Sequence, residues 1–157
     1  MYNIEEILKG EVREKHVATN RPIHLPIWQG QEGEGRCQIT LTLTDTGHGL
    51  HGLLTGGEKP HVGGVVLALP RPSLSSKGWS TDAYITPIPG HKDIVVARTV
   101  AEMLACVIRL PVVITAGIHS DNLSPEELNR IIVHCDALTS RALAVFSNKN
   151  YVDIDSQ

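Results

Sequence analysis

From position 37 the chain alternates strictly: Cys37, Ile39, Leu41 and Leu43 are apolar, while Gln38, Thr40, Thr42 and Thr44 are polar. A period of two is that of a strand with one buried face and one face lined by threonines. Asp45-Thr46-Gly47 carries turn chemistry, so residues 50–54 are expected to return as a second strand and close a hairpin. Residues 64–69 are continuously apolar, which predicts a strand buried on both faces. Residues 81–85 predict a short edge strand, stopped by Pro87 and Pro89. The period then changes. Ile94, Ala97, Ala101, Leu104 and Ile108, widened by Val100 and Val107, recur at helical spacing until Pro111. Val112, Val113 and Ile114 predict a short buried strand. A second helix starts with Ser124 at the N-cap, Pro125 at the first position and Glu126 and Glu127 in the first turn, with capping-box spacing between Ser124 and Glu127. Its apolar stripe is Leu128, Ile131, Ile132, Cys135, Leu138 and Ala142. Antiparallel strands followed by helix, strand and helix predict an α+β fold, a mostly antiparallel or mixed sheet with two long helices on one face.

The chain ahead of this pattern reads differently. Residues 3–8 predict one or two amphipathic turns, with Ile4, Ile7 and Leu8 on one side. Residues 19–36 shift to Pro, Gly, Gln and Glu, an extension in which Ile23, Leu25, Ile27 and Trp28 predict partial docking. The expected organisation is therefore an N-terminal extension over 1–36 and a single α+β ligand-binding domain over 37–157.

A length of 157 residues suits one domain. The net charge is −3, with no cluster of Lys and Arg, which argues against nucleic acid as a partner. No apolar run reaches the roughly 18 residues of a membrane span, and the N-terminus has no signal-like apolar core, so no membrane partner and a cytoplasmic location are expected. Cys37, Cys106 and Cys135 are scattered without a Cys-x-x-Cys pair and read as reduced thiols packed like small hydrophobes.

Chemistry concentrates in three short runs, each with glycine and histidine beside the end of a regular element. Residues 55–64 hold four glycines and Pro60 around His61. This is neither a Walker loop nor a dinucleotide fingerprint. Two readings stay open for it: a long hairpin loop that needs positive φ, or successive amides forming an anion-binding nest. Gly90-His91-Lys92-Asp93 opens the first helix with an imidazole and an ammonium, a helix start that suits a phosphate. The second helix start, with two carboxylates and a capping hydroxyl, repels one. The alternative is that Asp93 caps the helix and its neighbours are simply exposed. Residues 114–119 (Ile-Thr-Ala-Gly-Ile-His) form the third run. His61, His91 and His119 converge if the three loops share one end of the sheet. Three imidazoles could bind zinc, but no pair has ligand spacing, and no nucleophile or carboxylate pair accompanies them. Neither a catalytic residue nor a metal ligand is assigned. His134 reads as a satisfied helix histidine, and His16, His24, His48 and His51 carry no motif.

Taken in order, Thr-Gly-Gly-x-x-Pro-His-Val-Gly before an apolar strand, His-Lys-Asp opening a helix, and Ile-Thr-Ala-Gly-Ile-His before a second helix resemble the small D subunit of gallate decarboxylase operons, the LpdD-like prenylated-flavin chaperones. The resemblance spans residues 37–144. It implies a fold like that of proteasome assembly chaperone subunits, a homodimer, and a non-catalytic carrier. It also implies prenylated FMN, or FMN, as the bound cofactor, a UbiX-like flavin prenyltransferase as its source and a UbiD-like decarboxylase as its recipient. Gly56, Gly57, Pro60, His61 and Gly63 match the first motif; His91, Lys92 and Asp93 the second; Thr115, Ala116, Gly117 and His119 the third. These are the cofactor-binding residues the resemblance implies, with the phosphate near Lys92, the glycine loop against the flavin, His61 and His119 on ring atoms, and Trp79 as the nearby aromatic. The chain departs from the family pattern in its N-terminal extension, in the absence of a long tail, and in Glu58-Lys59 at the loop tip. Two other classes compete: a small metal- or histidine-dependent enzyme using the three imidazoles, and an assembly module without a small ligand.

Overall fold

The computed structural model describes residues 25–75 and 77–147; the turns expected over 3–8 and the docking of Ile23 lie outside them. Six strands form one sheet: β1 (Ile27–Glu32), β2 (Ile39–Asp45), β3 (Leu50–Gly57), β4 (Gly64–Pro72), β5 (Trp79–Pro87) and β6 (Val112–His119). Two helices, α1 (Ile94–Ile108) and α2 (Pro125–Phe146), complete the α+β fold. The strand order is β1-β2-β3-β6-β4-β5. Only β3 and β6 run parallel; every other pair is antiparallel, so the sheet is mixed.

The alternating segment does what its period requires. Ile39, Leu41 and Leu43 are fully buried beneath the helices, and Thr40, Thr42 and Thr44 point to the other face. Helix α1 lies over β4, β5 and β6, and α2 over β1 and β2, with the helices touching. Ala97, Val100, Ala101, Leu104, Ala105 and Ile108 bury the α1 face, and Ile131, Cys135, Leu138, Thr139 and Ala142 that of α2. Helix α1 ends on Arg109 in the left-handed region (φ 59°), two residues before Pro111, whose ring cannot continue a helix. All three cysteines are free, and burial pushes the Cys135 thiol up to about 12.

Several expectations change. Residues 64–69 are buried on one face only, through Val66 and Ala68, while Val65, Leu67 and Leu69 on the other are half-buried. Residues 27–32, read as part of an extension, are a strand paired along its whole length with β2, and Trp28 packs on the core. Strand β3 continues through Gly56 and Gly57, and β5 spans nine residues because every one of them pairs with β4. Strand β6 runs eight residues rather than three, so Thr115, Ala116 and Gly117 are strand and not loop. Parallel pairing from Leu50↔Val112 to Gly57↔His119, with antiparallel pairing to β4 on its other side, holds these residues extended. Finally, Val107, Leu128 and Ile132, placed on the core stripes by spacing, are 49%, 51% and 40% exposed.

Candidate functional site

The glycine-rich loop between β3 and β4 folds back over the end of β6. The Glu58 and Lys59 amides donate to the His119 carbonyl at 2.7 and 3.1 Å, and the Gly63 amide donates to the Ala116 carbonyl at 2.7 Å. These amides are bonded to the sheet, so they do not form the anion nest that the glycine content allowed. The glycines serve close approach instead. A Cβ at Gly117 would overlap the His61 carbonyl, and one at Gly63 would overlap the Asp93 carboxylate. Gly57 turns the chain with φ +76°, and a Cβ there would overlap the His119 carbonyl.

This crossing brings the three histidines together. The His61 ring lies 4.5 Å from that of His91 and 5.9 Å from that of His119, centroid to centroid. Each ring is tied separately. His61 Nδ1 lies 3.1 Å from the Lys59 carbonyl, His91 Nδ1 lies 3.3 Å from the Pro89 carbonyl, and His119 Nε2 lies 2.9 Å from Asp121 Oδ1. Asp121 also accepts from Lys59 Nζ at 2.9 Å. Lys59 first, and then His119, hold the Asp121 carboxyl below the usual carboxylate range, while the same bond raises Lys59. Among the described residues no three His, Cys, Asp or Glu side chains are arranged to hold a metal ion.

Beside the cluster, the N-terminal halves of α1 and α2 diverge over the end of β6 and leave a groove of about 560 Å³. Its floor is apolar: Val95 and Val96 from α1, Ile118 from β6, Leu123, and Leu128, Ile131 and Ile132 from α2. Its mouth is polar, with Gly90, His91, Lys92 and Asp93 on one side and His119 and Ser120 on the other. Exposed Lys92 makes no ion pair among the described residues. A volume in the range of small-molecule sites, a mostly apolar lining and a few polar groups at one end are the marks of a ligand pocket.

Of the twelve residues anticipated, the groove is lined by His91, Lys92, Asp93 and His119. The other eight do not line it. Gly56 and Gly57 lie in β3, Thr115, Ala116 and Gly117 in β6, and Pro60 is exposed on the loop, while the His61 ring packs on His91 and His119 and Gly63 lies against Asp93. Trp79 sits at the far end of β5, where its carbonyl accepts from Cys106 Sγ at 3.4 Å and its ring carries Arg109 at 5.1 Å. Sequence reasoning missed the apolar floor. Its signal was there: the α2 stripe is wider than one core face needs, because Leu128 and Ile132 belong to the groove. His134 is satisfied as expected, with Nδ1 2.9 Å from the Cys37 carbonyl.

These features define a small α+β domain presenting an amphiphilic groove between two helix starts. A family model for the prenylated flavin chaperone LpdD-like domain matches residues 33–147, and the chain belongs to that family. The three motif runs all lie inside the matched region. Among curated proteins none matches this sequence. A chain of the crystal structure of a novel chaperone complex for yeast 20S proteasome assembly aligns with a TM-score of 0.46 at 12% identity, covering 76% of this chain and 94% of that one. No helix among the described residues is long and apolar enough to cross a membrane.

Proposed function

We propose that this protein is a non-catalytic carrier that holds prenylated FMN, or a related flavin phosphate, in the groove between α1 and α2 and delivers it to a UbiD-like decarboxylase. The observation that carries this reading is the match between groove and cofactor. A flavin phosphate has a flat ring system with an apolar edge and is anionic at one end, and the groove has an apolar floor with a cation at its mouth, Lys92, that makes no ion pair among the described residues. Lys92 and His91 would hold the phosphate beside the α1 N-terminus, where the helix dipole favours an anion. His119 would meet polar ring atoms, and Val96, Ile118, Leu128 and Ile131 the apolar ones. Once handed over, the flavin supplies the recipient's decarboxylation chemistry; in this chain the residues bind, orient and release. Family membership supports the assignment, with a flavin prenyltransferase as the cofactor source.

Family membership also supports a homodimer, which we place on the open face of the sheet. The threonine side of the first hairpin and the edge strand near Tyr84 lie on one surface. Ile27, Thr44, His51, Val113, Leu67 and Tyr84 form one row across all six strands, and Gln29, Thr42, Leu53, Thr115, Val65 and Thr86 the next. None of these twelve is Asp, Glu, Lys or Arg, so two copies can meet there without burying charge.

Native mass spectrometry on protein co-expressed with a flavin prenyltransferase and purified without oxygen tests the carrier reading. A bound species of prenylated-FMN mass is expected. Ligand-free protein that also takes up neither FMN nor prenylated FMN on addition overturns it.

A further inference from the structure

We propose that His61 and Asp93 are positioning residues for the mouth of the groove, and that protonation of His61 decides whether they hold it. The proposal rests on the groove being the binding site. His61 does not line the groove, yet it touches three residues of the mouth, His91, Asp93 and His119. Its carbonyl lies on Gly117 of β6, and its ring packs on His91 and meets His119 edge-on. Its Nε2 faces Asp93, the residue that opens α1.

Asp93 stands at the α1 N-cap but makes no capping hydrogen bond. Its Oδ2 instead lies 3.1 Å from His61 Nε2, wedged against Gly63. Both atoms are buried, and neither has a hydrogen-bond partner among the described residues. They are at ion-pair distance but off the line of a hydrogen bond. The other ring nitrogen explains why this matters. Both ring nitrogens face acceptors, but only Nδ1 meets its acceptor, the Lys59 carbonyl, in hydrogen-bond geometry, so the neutral ring that fits this arrangement carries its single proton on Nδ1. Its Nε2 lone pair then faces a carboxylate oxygen, two acceptors 3.1 Å apart. One more proton, on Nε2, turns them into donor and acceptor and closes the pair.

Charged and titratable groups reach His61 from three elements. From the loop comes Lys59, whose ammonium is held by Asp121; from the approach to α1 come His91, Lys92 and Asp93; from β6 comes His119, also held by Asp121. Of these, only Asp93 presents an acceptor to His61 Nε2. A protonated His61 therefore draws the first turn of α1, with Lys92 and His91, against the loop, and a neutral His61 lets it go.

The decisive substitution is Asp93→Asn. An asparagine amide can donate to the Nε2 of a neutral imidazole, so the variant keeps the contact where the wild type loses it. FMN affinity of the full chain is measured for both proteins at about pH 5.5 and about pH 8.5, either side of the ordinary imidazole range. The phosphate's own ionisation cancels in the ratio. The wild-type affinity relative to the variant is expected to fall by about fivefold or more from the acid to the alkaline condition, the scale of an ordinary coupling between sites. Parallel profiles overturn the proposal. Spectra of ligand-free protein with ¹⁵N-labelled histidine and backbone supply a second readout. Titration of the His61 ring should shift the Gly63 and Lys92 amides in the wild type and not in the variant; unmoved amides in the wild type overturn the proposal. If FMN and prenylated FMN bind neither protein at any pH, the carrier reading fails, and these spectra still decide the pairing. Should Asp93→Asn not fold, His61→Gln replaces it, with the same relative fall expected.

Discussion

Helix α2 begins with its own chemistry. The Ser124 hydroxyl accepts from the Glu127 amide at 3.2 Å, the Glu127 carboxylate accepts from the Ser124 amide at 2.8 Å, and Pro125 fills a position that needs no amide. Helix α1, starting across the groove, has no such device. Its N-cap carboxylate turns away to His61, no acid occupies its first turn, and Lys92 at its edge makes no ion pair among the described residues. The first start is complete within four residues of sequence and repels an anion. The second depends on a loop thirty residues upstream and leaves its positive end available. Closing a helix locally makes it stable. Leaving it to tertiary neighbours keeps its positive end open, which is what the proposed carrier role and the proposed His61–Asp93 switch both draw on.

Removing those neighbours is the strongest way to break the contrast. Gly117→Val puts a side chain where the His61 carbonyl lies, while leaving α2 untouched. A loss of about 3 kcal/mol or more in denaturant unfolding is expected, the range for a buried overlap that backbone must relieve. A loss under about 0.5 kcal/mol would mean the loop does not rest on β6. Lys92→Ala addresses the anion directly. Flavin-phosphate affinity should drop by about 1–3 kcal/mol, as for a lost charge-assisted hydrogen bond, with the thermal midpoint unchanged; equal affinity removes Lys92 from the site. Ser124→Ala is the reciprocal experiment at the other helix. It should cost about 1 kcal/mol of stability and leave flavin affinity alone, and an affinity change would show the two starts to be coupled.

The smallest effect is electrostatic and exposed. The Ser124 hydroxyl and its own backbone amide hold Glu126 below the usual carboxylate range, and Lys59 and His119 do the same for Asp121. A carboxyl held low when folded binds fewer protons than when unfolded. Its contribution is therefore complete above the ordinary carboxylate range and is lost as pH falls from about 4 through the folded value. Lys59→Ala should flatten that acid limb for Asp121 in pH-dependent melting; an unchanged limb would show the pair to be fully screened.

Much of this was legible in the chain. The alternation from Cys37 to Thr44, the switch to helical spacing at Ile94 and the capping box at Ser124 all name local conformations, because each depends on residues a few positions apart. The reach of β6 was not legible. Thr115, Ala116 and Gly117 look like a loop by composition, and they are extended because β3 and β4 flank them in the sheet. The convergence of His61, His91 and His119 was inferred from three similar runs, but which of them reaches the groove depends on the loop passing over Gly117.

By itself, then, the sequence determined the first hairpin, the extent of α1, the start of α2 and most of the buried face of each, since these follow from periodicity and capping over short spans. Only the tertiary structure decided that the glycines permit backbone to cross backbone, that Leu128 and Ile132 floor a groove instead of filling a core, and that Asp93 faces a histidine instead of capping its helix. Those outcomes depend on contacts between residues tens of positions apart, and nothing in the local pattern carries information about where a distant carbonyl will lie.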